Sequence, residues 1–126
     1  MADFECPECH TANLAISLSI TLPPDSRSDD IILQIVRCRH CHFRAAAIYE
    51  ESRRGRLDSE SWEHRGYRIG QEELARLNRL LKSCQARKDK DCDCPAHQAL
   101  GQRNEYGRWL APFEVDWQRS FPMQRR

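Results

Sequence analysis

Four of the seven cysteines in this chain form two CxxC pairs, Cys6/Cys9 in "CPEC" and Cys38/Cys41 in "CRHC". Each such turn delivers two sulfurs from one tight bend, so two turns complete a tetrahedral zinc site with no position left open for substrate. The other three, Cys84, Cys92 and Cys94, stand with His97 in the spacing C-x7-C-x-C-x2-H. Three thiolates and an imidazole make a second zinc set; the alternative is three free thiols, with Cys94 reactive at a helix N-terminus. Two zinc ions are therefore expected, and one at minimum. An odd number of cysteines suits metal ligation better than a disulfide framework. A catalytic use of these residues would need a base within hydrogen-bond reach and a pocket. Thiols in metal spacing on so short a chain point instead to binding, not to an enzyme.

The elements that must position these ligands follow from periodicity. "NLAISLSITLP" alternates Leu14, Ile16, Leu18, Ile20 and Leu22 against small polar residues, the period of a half-buried strand. "PPDSRSDD" supplies a hairpin tip, "IILQIVRC" the returning strand, and "FRAAAIYE" a third strand. Residues 51–70, with glycines, many charges and no clear period, read as a linker or loop. "QEELARLNRLLKSC" sets Leu74, Leu77, Leu80, Leu81 and Cys84 on one helical face. Pro95 suits the first position of a short second helix that Gly101 ends. The organisation expected is thus 1–50 a metal-clamped β unit, 51–70 a linker, 71–101 a helix plus the Cys/His cluster, and 102–126 an aromatic tail.

Two knuckles with a long hairpin between them and a third strand after them resemble the zinc-ribbon superfamily, over about residues 4–50. The resemblance implies a three-stranded antiparallel, metal-stabilised ribbon; with the helices read from periodicity as a C-terminal extension, a small α+β fold is expected. The chain departs from the usual ribbon after each knuckle, where glycine often relieves a positive φ and where His10 and His42 stand. The tip "SRSDD" also looks similar to the ribbon hairpin of transcript-cleavage factors of RNA polymerase. That resemblance implies an accessory factor acting through Asp29 and Asp30, assisted by Arg27.

Net charge is +1, but it is unevenly spread: residues 1–36 carry six acids and one arginine, residues 37–56 six arginines and two acids. The cluster Arg37, Arg39, Arg44, Arg53, Arg54 and Arg56 suits phosphates, with His40 or Phe43 placed to stack on bases. Strand alternation leaves open whether Arg44 shares a face with Arg37 and Arg39. Nucleic acid or a nucleoprotein complex is the expected partner, with a protein–protein adaptor or small regulatory subunit as the rival. In the tail, Trp109, Phe113, Trp117 and Phe121 recur every four residues. A helix starting at Pro112 would put the last three on one stripe, with Trp109 a separate anchor. That stripe either completes the core or docks in a partner's groove. The start "MADFECPEC" has no basic n-region or apolar h-region, and no apolar run approaches the ~20 residues of a helical span. A cytoplasmic protein with no membrane partner is the expectation.

Overall fold

The computed structural model describes residues 3–53 and 61–125. The alternating segment forms β1 (Leu14–Leu22), and the hairpin returns as β2 (Asp30–Cys38) and β3 (Arg44–Ser52). Then follow β4 (Ser61–Tyr67), α1 (Gln71–Ser83), α2 (Pro95–Leu100), a 3-10 turn (Trp117–Arg119) and β5 (Ser120–Pro122). The five strands make one antiparallel sheet in the order β1-β2-β3-β4-β5. The fold is small α+β, a five-stranded antiparallel sheet with two helices.

Strand alternation divides the sheet's side chains between two cores. Ile20, Leu22, Ile31, Leu33, Ile35, Ala46 and Ile48 point to one face, where Leu74, Leu77 and Leu81 of α1, Ala96 and Leu100 of α2, and Trp109 and Phe113 cover them. The opposite face buries a smaller set next to the first CxxC pairs: Phe4, Leu14, Val36, Ala45, Ala47, Phe121 and Met123. The leucine stripe on α1 is the one expected, with Leu80 at its half-buried margin. Pro95 and Gly101 bound α2 as expected.

Two expectations are corrected. The stretch 51–70 is not simply a loop: β3 continues to Ser52, and Ser61–Tyr67 pair along β3 from Ser52 to Ala46. The alternation of β4 is hidden because neither face is aliphatic: Trp62, His64 and Gly66 lie on one side, and Glu63, Arg65 and Tyr67 on the other. Gly66 is needed there, because a Cβ would lie 2.1 Å from the Phe121 ring of the neighbouring strand. The tail forms no helix from Pro112. Asp116 caps a single 3-10 turn, and Phe121 then enters β5. The three expected strands are accordingly extended to five by segments that lie 61–67 and 120–122 along the chain.

Candidate metal centres

The first centre is built by two similar turns at one end of the sheet. His10 N–H donates to the Cys6 carbonyl (2.9 Å), and His42 N–H to the Cys38 carbonyl (3.1 Å). Both histidines have left-handed backbones, φ 62° and 66°, as their place after each knuckle predicts. The turns face each other so that Cys6 Sγ lies 3.6 Å from Cys41 Sγ, and Cys9 Sγ 3.6 Å from Cys38 Sγ. Backbone N–H groups of His40 and Cys41 point at Cys38 Sγ, each at 3.4 Å.

The second centre is assembled where α1 stops and α2 begins. Cys84 caps the C-terminus of α1, and Cys94 caps the N-terminus of α2, its sulfur accepting from His97 N–H. His97 Nδ1 lies 3.3 Å from both Cys84 Sγ and Cys94 Sγ, while Cys92 Sγ is 3.9 Å from Cys84 Sγ. The other ring nitrogen, Nε2, donates to the Thr21 carbonyl at 3.0 Å. That bond fixes the tautomer, leaving Nδ1 as the lone-pair donor, and it welds the cluster to β1. Thr21 N–H in turn donates to the Arg87 carbonyl (2.7 Å) in the loop between the helices.

In each set one ligand atom from every residue lies within 4.8 Å of all the others. A zinc ion with Zn–S near 2.3 Å needs tetrahedral edges of about 3.8 Å, and about 3.5 Å for a sulfur–nitrogen edge. The observed separations fit both. Thiol electrostatics fit as well. Burial pushes the Cys6 thiol up to about 12 and the Cys84 thiol up to about 11. Hydrogen bonds from Thr11 bring Cys9 down to about 6, and the His97 N–H does the same for Cys94. Four sulfurs this close cannot all carry charge without a cation among them. The two clusters, one of four cysteines and one of three cysteines with a histidine, are thus consistent with two metal ions of the zinc type: Cys6, Cys9, Cys38 and Cys41 would hold one, and Cys84, Cys92, Cys94 and His97 the other. Among the described residues, His10, His40 and His42 belong to neither set.

The arginines do not form one patch. Arg37 and Arg44 are cross-strand partners and therefore share a face, with Arg37 3.3 Å from His42 Nδ1. Arg39 lies 3.5 Å from Asp3. Arg53 sits at the far end of β3, bonded to Asp30, and its backbone N–H donates to Asp29. Arg54 and Arg56 lie outside the described residues. Phe43 is half-buried edge-on to Phe121 with the Arg68 guanidinium over it, while His40 is exposed. Of the four tail rings at four-residue spacing, Trp109 and Phe113 are buried in the helix-side core and Phe121 in the other; Trp117 is exposed, at 60%, under the Arg65 guanidinium.

Sequence reasoning missed Asp25. Its buried carboxylate accepts from the N–H groups of Arg27 (2.8 Å), Ser28 (2.7 Å) and Trp109 (2.7 Å) and from the Arg108 guanidinium. Burial alone would raise its pKa, but these donors hold it down to about 2. The hairpin tip is thereby folded back on residues 107–109, with Ser26 N–H donating to the Gly107 carbonyl. No helix of the described residues is long and apolar enough to cross a membrane. Comparison with protein-family models, curated proteins and solved structures gave no match.

Proposed function

We propose that the chain is a zinc-ribbon-like, non-catalytic binding protein whose two metal centres are structural, and that its ligand is nucleic acid. Each centre offers four protein ligands, which leaves no open position for substrate or water on a bound zinc and favours scaffolding over catalysis. The observation that carries the nucleic-acid reading is the opposition of Arg37 and Arg44. Like charges directly across a strand pair are unfavourable, and among the described residues no ion pair relieves either guanidinium. A phosphate between them would. Arg39, on the same knuckle, adds a third guanidinium, with Asp3 3.5 Å from it. The tip acids favour the polymerase-accessory reading less, since Asp29 and Asp30 are both engaged by Arg53. Adaptor docking through the tail is left with Trp117, the one exposed ring of the four. A reduced cytoplasmic setting suits seven unbridged cysteines.

Fluorescence anisotropy of labelled oligonucleotides across a salt series tests the proposal. Binding should weaken steeply with salt, and Arg37→Gln with Arg44→Gln should lower the log–log slope by about 2. Absence of binding at low salt, or an unchanged slope in the double variant, would overturn it.

A further inference from the structure

Among the described residues, the face of the sheet turned away from the helices is covered at one end only. Residues 4 and 5 bridge β1 to the chain that continues from β5: Phe4 exchanges hydrogen bonds with Leu14 (2.9 and 3.0 Å), and Glu5 N–H donates to the Gln124 carbonyl (2.7 Å). The sheet therefore curls shut beside the first metal centre. Ala45 and Ala47 keep its interior shallow. Towards the other end it opens into a groove of about 1140 Å³.

The walls of that groove are rings. Tyr49 and Trp62 are stacked, with centroids 6.5 Å apart and planes 23° from parallel. His64 stands edge-on to Tyr49 (5.5 Å) and to Phe4 (5.1 Å). On the floor, His64 Nε2 and Gln34 Oε1 are 2.6 Å apart. Burial and the nearby Arg125 lower the His64 pKa to about 4, so the ring is neutral at pH 7 and Nε2–H is the donor. These contacts hold Tyr49 and His64 in place, yet Trp62 is 67% exposed. An indole left that open on a supported aromatic stack offers a planar apolar surface that nothing in the described fold uses.

Charge specifies what should lie on it. Arg125 is at the rim, its guanidinium 4.9 Å from the Phe4 ring. At the β1 edge, Ile16 lines both this groove and the next hollow, whose other walls include Arg37, Arg39 and His42. The acid on the groove, Glu51, is occupied by the Tyr49 hydroxyl (3.0 Å) and by Arg53 (3.5 Å). The path thus runs from π faces, over the β1 edge at Ile16, to guanidinium groups that strand alternation sets on the sheet's other face. Unpaired bases joined by a phosphate backbone match that order, whereas a duplex keeps its base faces covered.

We infer that the groove binds single-stranded nucleic acid, with a base stacked on Trp62 and the backbone passing Ile16 to reach Arg37 and Arg39. The inference deepens the nucleic-acid reading above and rests on it.

The test compares a short oligothymidylate with a duplex of the same length, using wild type, Trp62→Ala, Trp62→Phe and the Arg37/Arg44 double variant. The single strand should bind roughly tenfold or more tighter than the duplex. Trp62→Ala should lose roughly 10- to 100-fold on the single strand and Trp62→Phe much less, the usual size of one base–aromatic stack. Because Trp62 touches no phosphate in this arrangement, its removal should leave the salt slope and the melting temperature unchanged, which separates it from Arg37 and Arg44. Equal binding of strand and duplex, or an unaffected Trp62→Ala, would overturn the groove assignment while leaving the phosphate reading in place. Binding of neither would overturn both and leave the groove to an apolar protein segment.

Discussion

The two Cys/His centres use similar chemistry on different footings. The first takes its ligands from the two ends of a hairpin, Cys6 to Cys41, and the second from a stretch of fourteen residues, Cys84 to His97. Loop closure alone separates them little, because the entropy of the longer loop exceeds that of the shorter by only about 0.8 kcal/mol. Their surroundings differ more. The first centre abuts the smaller core, where Cys6 and Cys38 are themselves a substantial part of the buried material. The second contributes Cys84 to the larger core, most of which is filled by aliphatic and aromatic side chains of α1, four strands, α2 and the tail. A metal that replaces a core should matter more than a metal that trims one.

Cys38→Ser and Cys94→Ser are the most direct way to break this comparison. Cys38→Ser should abolish cooperative thermal unfolding, since a structural zinc contributes on the order of 10 kcal/mol and whole domains have only about 5–15. Cys94→Ser should lower the melting temperature yet leave a folded sheet, with amide-exchange protection lost mainly between residues 84 and 100. A reversed order of damage would show that the second centre is the true support.

The opposite end of the β1–β2 hairpin has a clamp without metal, and Asp25 measures it. Its carboxyl pKa is held at about 2, below the unfolded value of about 3.9. The stabilisation is therefore fully present above about pH 4 and fades only as pH falls towards 2. Asp25→Asn should cost about 2 kcal/mol in urea unfolding, by the same amount at pH 7.5 and at pH 5.5. A deficit that shrinks by pH 5.5 would mean the carboxyl protonates far earlier than its partners allow. At the same end, Asp30→Ala removes an exposed ion pair with Arg53. It should cost at most about 1 kcal/mol, and a larger loss would mean that the tip depends on surface charge.

What the sequence made legible was what its local patterns encode. The CxxC spacing located the first centre, the alternation of Leu14 to Leu22 located β1, and the stripe Leu74, Leu77, Leu81 located α1. His10 and His42 could be placed at positive φ from their position after a knuckle. Tertiary dependence hid the rest. Trp62 to Tyr67 offers no aliphatic face, with Glu63 and Arg65 on one side and Trp62, His64 and Gly66 on the other, and β4 has only a short strand on its far side. The four-residue spacing of Phe113, Trp117 and Phe121 mimics a helical face, although Phe113 and Phe121 enter cores on opposite sides of the sheet. Asp25 gave no signal, because its partners Arg108 and Trp109 lie more than eighty residues away. The aromatic groove was hidden with β4, since Trp62 and His64 acquire a common face only once that strand is paired.

The most direct test of the two-centre account is the metal content of the purified chain, read by native mass spectrometry and zinc X-ray absorption. Two zinc ions per chain are expected, sharing seven sulfurs and one imidazole nitrogen, with Cys94→Ser retaining one ion in an all-sulfur shell. One ion in the wild-type protein, unaffected by Cys94→Ser, would contradict the account and return Cys84, Cys92 and Cys94 to the status of free thiols.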